Sequence, residues 1–333
     1  MIRYTLKQLS YFVAAAEQES VTGAARGINV SQPAISAAIS HLEQVFGVQL
    51  FLRHHAQGLS LTPAGRRILA EARNLLSHAQ ELPATPIGEG DPVRGALDLG
   101  CFITFSPYFV PGLLREFARL HPEVELRLHE GDAETLQTGL ASGRIELAIL
   151  YDLALGSHFE QETVAELPAY AVLPHDHRLA AAPTVSLAAL AAEPFIMLDL
   201  PHSREYFQSI FMQLGLIPDI RYSTPSFEMV RGLVAHGHGV GLLNLRLPGD
   251  RSYDGARLAC RPLREAARPL HIVLARPPGA RPTRAVTTFM ETARRYFAAA
   301  QRPARVEAKA AAGTAAPGRR RAAARRAGAR AAE

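Results

Sequence analysis

The chain has 333 residues, 48% hydrophobic and 20% charged, more than one hydrophobic core usually organises, which points to one small and one larger globular unit. Its net charge of +5 is unevenly placed: residues 301–333 carry eight Arg and one Lys against two Glu, so the first 300 residues sum to −2 and overall basicity is no argument for a nucleic-acid partner. Two cysteines, Cys101 and Cys260, are too few for a disulfide framework or a Cys/His metal cluster; no apolar run approaches the roughly 20 residues that cross a bilayer, and the N-terminal stretch lacks an export signal's unbroken apolar core, so a cytoplasmic protein with no metal, no cofactor and no membrane partner is expected.

Leu6, Leu9, Phe12, Val13 and Ala16 recur at helical spacing, predicting a first helix over residues 6–17. Ser20 is a cap for a short Ala-rich helix from 22 to 27, where Gly27 supplies the stop. Ser31 then caps a third helix with Pro33 in its first turn, running to Phe46 and ending before Gly47. The apolar stretches 48–52 and 58–61 flank His54, His55, Ala56 and Gln57, the pattern of a small β-hairpin. Leu6, Phe12, Ile35, Ile39, Leu42, Leu50 and Phe51 are the expected core of this unit. Thr62 and Pro63 open a fourth helix to Glu81, in which Gly65, Leu69, Ala72, Leu76 and Ala79 follow an a/d spacing. That stripe either pairs two subunits or packs on its own unit.

Residues 83–95 are rich in Pro and Gly and read as a hinge. Beyond it, strand-like and helical runs alternate: strands at 96–103, 124–128 and 146–151 with helices at 107–120 and 133–142 between them, a βαβαβ order that predicts a parallel sheet covered on both faces. After a crossing segment at 164–173 the pattern resumes, with strands at 195–198, 219–223 and 240–243 and helices at 203–214 and 226–236. A strand at 269–275 and a helix at 283–298 close the body. Residues 301–333 lack bulky apolar side chains after Val306 and are expected to be a disordered Ala/Arg-rich tail that adds salt-sensitive, sequence-independent affinity for DNA.

The segment AARGINVSQPAISAAISHLEQVFGVQLF (24–51), followed by LSLTPAG (59–65), resembles the LysR-type transcriptional regulators closely, and the match spans residues 6–65 without a gap. The resemblance implies a winged helix-turn-helix over 1–62, a linker helix for dimerisation over 63–82, a hinge over 83–94, and over 95–300 a bilobal effector domain with the fold of a type 2 periplasmic binding protein. The fold class is thus α/β with an all-α-dominated N-terminal head. It further implies promoter DNA, a small-molecule effector, a homodimer or homotetramer and possible contact with RNA polymerase as partners. By the same resemblance Gln32, Pro33, Ser36 and His41 face bases in the major groove, Thr22, Ser31 and Arg53 position the DNA backbone, and His54 and His55 follow the groove from the wing. Arg66 and Arg67 are either solvated helix charges or phosphate contacts. Where many family members carry Arg or Lys in the third helix this chain has Ala37, Ala38 and Ser40; residues 1–67 hold six Lys/Arg against three acids, so phosphate attraction is modest.

In a bilobal α/β body the ligand lies at the carboxyl ends of the strands. That rule selects Thr104, Phe105, Ser106, His202, Ser203, Ser226, Phe227, Gly239 and Asn244 as effector-binding candidates. Hydroxyls at helix N-termini favour a small organic anion there. Phe102 and Phe105 either wall that ligand or belong to the core, and His202 with Ser203 and Arg204 is either a binding cluster or a helix cap. No G-x-S-x-G elbow accompanies Ser203, and the glycine-rich GHGVGLLN enters a strand where a dinucleotide fingerprint would leave one, so an enzyme is not expected. The remaining alternatives are a free solute-binding protein, which would have no use for the first 65 residues, and a cysteine redox sensor, for which neither thiol has an evidently basic setting.

Overall fold

The computed structural model describes residues 2–54, 58–81, 92–279 and 281–313, with no side-chain detail for His54, Glu81 and 301–313. The head is built by local signals. Helix α1 (Leu6–Glu17) starts on a capping box in which Thr5 and Gln8 satisfy each other's backbone N–H groups, and α2 (Val21–Gly27) starts on Ser20, whose hydroxyl accepts from Gly23 N. Helix α3 (Gln32–Phe46) has Pro33 in its first turn and stops where Gly47 turns left-handed at φ 69°. Leu9, Phe12, Ile35, Ile39, Leu42, Leu50 and Phe51 form one core. Leu6, expected in it, is 45% exposed, because it opens α1 beyond the turn that α3 covers.

The wing pairs β1 (Phe51–His54) with β2 (Gly58–Leu61) antiparallel, so its first strand lies three residues later than the apolar run 48–52 suggested. The chain before β1 is held instead by Glu43 of α3, whose carboxylate accepts from Leu50 N at 2.8 Å and Phe51 N at 3.4 Å. Leu59 N donates to Glu19 O at 2.7 Å, pinning the wing to the α1–α2 turn. Helix α4 (Pro63–Glu81) begins on Thr62, whose hydroxyl accepts from Gly65 N and donates to Gln49 O.

The a/d stripe of α4 divides. Gly65, Leu69 and Ala72 are buried within the head itself, so they are not available to a second subunit and the packing alternative holds for them. Gly65 is obligatory: a Cβ there would lie 2.1 Å from Leu50 O. The hinge expected at 83–94 falls largely outside the described residues; Val93, just inside them, is already buried in the body's core.

The body holds two five-stranded sheets. In the first, β3 (Gly95–Phe102) runs parallel to β4 (Val124–Gly131) and β5 (Leu147–Tyr151), with α5 (Ser106–Leu120) and α6 (Ala133–Ala141) as crossovers. The sheet is mixed, not wholly parallel: β12 (Leu270–Arg276), returning after the chain has built the second lobe, runs antiparallel between β5 and β6 (Glu160–Leu167). The crossing segment is accordingly two strands in two sheets, β6 in the first and β7 (Tyr170–Pro174) in the second. The second sheet has the order β11-β7-β10-β8-β9, formed with β8 (Pro194–Leu198), β9 (Asp219–Thr224), β10 (Val240–Leu243) and β11 (Leu258–Pro262). The short α7 (Leu187–Ala191), α8 (Ser203–Met212) and α9 (Phe227–Ala235) cover it.

Helix α10 (Arg284–Gly313) packs Val286, Phe289, Ala293 and Phe297 on the first lobe. It does not stop at residue 298: the backbone stays helical through 301–313, correcting the expectation that the tail is unstructured from 301, and the Ala-rich run supplies the helix propensity. The rest of the expected tail, from residue 314 on, lies outside the described residues. No helix among the described residues is long and apolar enough to cross a membrane.

Candidate functional site

Two regions carry chemistry. The first is the outer face of α3. Ile35, Ala38, Ile39 and Leu42 point into the head, which leaves Ser31, Gln32, Pro33, Ala37 and Ser40 exposed and Ser36 half-buried along the opposite side. The Ser31 hydroxyl makes no cap bond to the helix it precedes, so both it and the Gln32 amide are available to an outside partner. Thr22 is exposed on α2 and Arg53 on the wing. His41 is different: half-buried, its Nδ1 lies 3.2 Å from Gln8 Nε2, so it braces α3 against the cap of α1. Arg66 donates to Leu61 O at 2.9 Å, which ties it to the base of the wing. His54 contributes its backbone to β1, and His55 lies outside the described residues.

The second region lies between the sheets, where the strand ends β3, β8 and β10 and the starts of α8 and α9 converge. A small, partly open cavity of about 20 Å³ lies there. That is room for about one water. Of the nine sequence candidates, Thr104, Ser203, Phe227 and Asn244 line it. The others do not. Phe105 is wholly buried behind it, with its ring 5.1 Å from that of Tyr151. Ser106 turns its hydroxyl to Phe102 O, and Ser226 spends its own on Met229 N as the cap of α9. Gly239 precedes β10, where a Cβ would meet Pro194 O at 2.3 Å; it belongs to the opposite end of the sheet, while Asn244, after the strand, reaches the cleft. His202 stands at the mouth in a left-handed conformation, its Nε2 3.8 Å from Glu134 of the other lobe.

Sequence reasoning took Phe102 as a possible wall and missed Tyr151, Leu198, Phe207, Leu243, Leu245 and Leu270, which supply most of the apolar lining. Tyr151 ends β5, so the strand-end rule that found Thr104 would have found it. Its hydroxyl is reached by Thr104 at 3.5 Å, and complete burial pushes its pKa well above the usual tyrosine range. Tyr108 Oη and Tyr253 Oη meet at 3.2 Å across the lobes. The expected organic anion finds no Lys, Arg or His side chain in the lining. Arg231, the nearest buried cation, stacks behind Phe227 and is engaged with Glu228 and Arg251 O.

A larger groove of about 1620 Å³ separates α1 and α4 from the first lobe. It exceeds the roughly 300–1,000 Å³ of ordinary small-ligand sites, and several of its charges answer one another: Arg73 pairs with Glu17, and His129 and Arg127 with Asp98. Among the described residues no group of three or more His, Cys, Asp or Glu could hold a metal ion. Both cysteines are buried, in different sheets, and burial pushes each thiol up to about 12.

Comparison with known proteins places both regions. Residues 6–66 match the bacterial regulatory helix-turn-helix protein, lysR family, and residues 90–298 match the LysR substrate binding domain. The hydrogen peroxide-inducible genes activator of Pectobacterium carotovorum is 31% identical over 252 residues, 75% of this chain and 83% of that protein. The uncharacterised HTH-type regulator YnfL of Escherichia coli is 34% identical over 72% of this chain and 81% of its own length. Among solved structures, HinK, a LysR family transcriptional regulator from Pseudomonas aeruginosa, is 40% identical, with 88% of this chain and 99% of that chain covered and a TM-score of 0.60.

Proposed function

The chain belongs to the LysR family of DNA-binding transcriptional regulators, and on that premise we propose that it reads promoter DNA through the outer face of α3 and answers a small organic effector held between its two lobes. The observation that carries the reading is the first turn of α3. Ser31, Gln32 and Pro33 are exposed, their side chains make no hydrogen bond among the described residues, and they open a helix whose N-terminal dipole suits a phosphate. Gln32 can make a bidentate contact with adenine, Pro33 can meet a thymine methyl, and Ser36 lies one turn further along the same face. Thr22 and Arg53 position the backbone, and the wing with His54 and His55 extends the footprint. His41 acts from behind, through Gln8.

Two heads are needed to read half-sites one DNA turn apart. The residues that pair them are on the outward side of α4, where Leu75 is 42% exposed and Ile68, seven residues earlier, is half-buried. A homodimer, assembled further into a tetramer, acting in the cytoplasm through contact with RNA polymerase and without enzymatic activity, completes the reading.

The test is fluorescence anisotropy with duplex from upstream of its own gene against random duplex of the same length. Gln32→Ala should lower the preference for the specific duplex by about tenfold or more, the worth of one bidentate base contact. Unchanged preference in Gln32→Ala and Ser36→Ala alike would remove this face from the interface.

A further inference from the structure

The cleft holds one polar atom whose orientation its neighbours dictate. Asn244 is 6% exposed and follows β10, where its amide reaches Leu167 at the β6–β7 crossing between the lobes. Its Nδ2 donates to Leu167 O at 2.9 Å and to Tyr206 Oη at 2.9 Å. Tyr206 has already given its own proton to Arg268 O at 2.8 Å, so its oxygen can only accept from Asn244. Turning the amide over would set Oδ1 against two acceptors. The amide is therefore fixed, and Oδ1 is left buried in the wall of the cavity without a hydrogen-bond partner among the described residues.

We propose that the effector is an uncharged small molecule that presents an N–H or O–H donor to Asn244 Oδ1 and, since the space here admits only about one water, parts the lobes to lay an aromatic or aliphatic body against Phe102, Phe207 and Phe227. This rests on the reading of the cleft as the effector site and names the chemistry that the site accepts. A carboxylate at this position would bring lone pair against lone pair, in a lining without a cationic side chain to offset its desolvation. The helix N-termini that would favour an anion are partly spent: Ser226 takes the Met229 N–H of α9, and Pro107 in the first turn of α5 has none to offer. A buried ammonium fares no better, because the lining has no acidic side chain either. The Ser203 hydroxyl, which makes no hydrogen bond among the described residues, remains to accept from or donate to a neutral polar group beside the donor. Because Asn244 joins Leu167 of one lobe to Tyr206 of the other, a ligand held on its oxygen touches the joint between them.

Matched neutral and anionic probes test the class directly: benzamide against benzoate, and nicotinamide against nicotinate, titrated into the full chain by calorimetry and thermal shift. The amides should bind saturably, at least about tenfold tighter than their acids, and Asn244→Leu and Ser203→Ala should each weaken the amide. Should Asn244→Leu fail to fold, the amide-to-acid ratio in the wild-type chain and the Ser203→Ala effect still decide. Acids that bind as tightly as their amides, amide binding that both variants leave unchanged, or no amide binding at about 10 mM, where a millimolar ligand still raises the melting temperature, would overturn the proposal. Binding of the acids alone, weakened by Ser203→Ala, removes the ligand class and leaves the cleft as effector site. Failure of the effector reading shows separately, as promoter anisotropy that no cleft ligand or cleft variant alters.

Discussion

Cys101 on β3 and Cys260 on β11 show what burial does to a reactive group. Each thiol is pushed up to about 12, mainly by desolvation, so at neutral pH each is a protonated, inert core residue. Two consequences follow. In the native chain at pH 8 neither thiol should react with a disulfide reagent within minutes, whereas both react once it is unfolded; rapid native labelling of either would contradict its burial. Their pH dependence runs with the raised pKa: the folded state keeps these thiols neutral, so their contribution to stability is complete below the ordinary value of 9 and is lost as pH climbs from 9 towards 12. Denaturant midpoints measured across that window should fall. A relative is named for induction by hydrogen peroxide, but in this chain neither cysteine has the exposed, basic setting that would make a thiolate.

Among the elements, the wing and α4 depend on close contacts that a single substitution exposes. Gly65→Ala should lower stability by about 1–3 kcal/mol or more, because its Cβ would meet the Leu50 carbonyl and not a side chain that can move. Glu43→Ala leaves the Leu50 and Phe51 N–H groups without their acceptor and should cost about 1–3 kcal/mol. Urea melts of both variants check the two figures, and unchanged midpoints would show that the wing is held elsewhere. Helix α4 also leans on the first lobe: Arg73 donates to Ser142 O at 2.7 Å while pairing with Glu17 of α1, and Ser77 donates to Glu146 at 2.6 Å. Arg73→Ala should therefore speed amide exchange in α4 and in residues 142–146 together, and exchange that rises in only one of them would mean that the contact does not couple them.

For the molecule as a whole, acid is the revealing variable. Asp152, although burial opposes its charge, lies below the ordinary value of 3.8 because His271 and Arg268 donate to it, and this cluster joins β12 to the end of β5. Asp199 is lowered by Arg204, and Glu162 by Arg294 of α10. All three shifts have the same sign: the stabilisation is present above pH about 4 and is lost as pH falls through the lowered values. Melting temperature should hold from pH 7 to 5 and fall below 4, with Arg294→Ala flattening only the part that belongs to α10. Arg294 and Glu162 are both about half exposed, so that share is small.

The residues alone determined most of the element order, though not α7, β11 or the split of the crossing segment into β6 and β7, together with the helix starts at Ser20, Ser31 and Thr62 and the stop at Gly47, because caps, periodicity and turn chemistry act within four residues of where they are written. They also determined the family, through a run of motifs that no folding calculation is needed to read. Of the nine cleft candidates chosen by the rule that ligands gather at strand ends, Thr104, Ser203, Phe227 and Asn244 line the cavity, and Gly239 lies away from it at the other end of its strand. Tertiary structure alone decided which face of α4 the head covers, that β6 and β7 belong to different sheets, that β12 runs against its neighbours, and which way the amide of Asn244 points. Each of these is set by groups far apart along the chain, as when Leu167, 77 residues away, fixes that amide. Local periodicity says that a surface is apolar or a side chain polar; only the partner brought to it by the fold says what that surface or side chain still lacks.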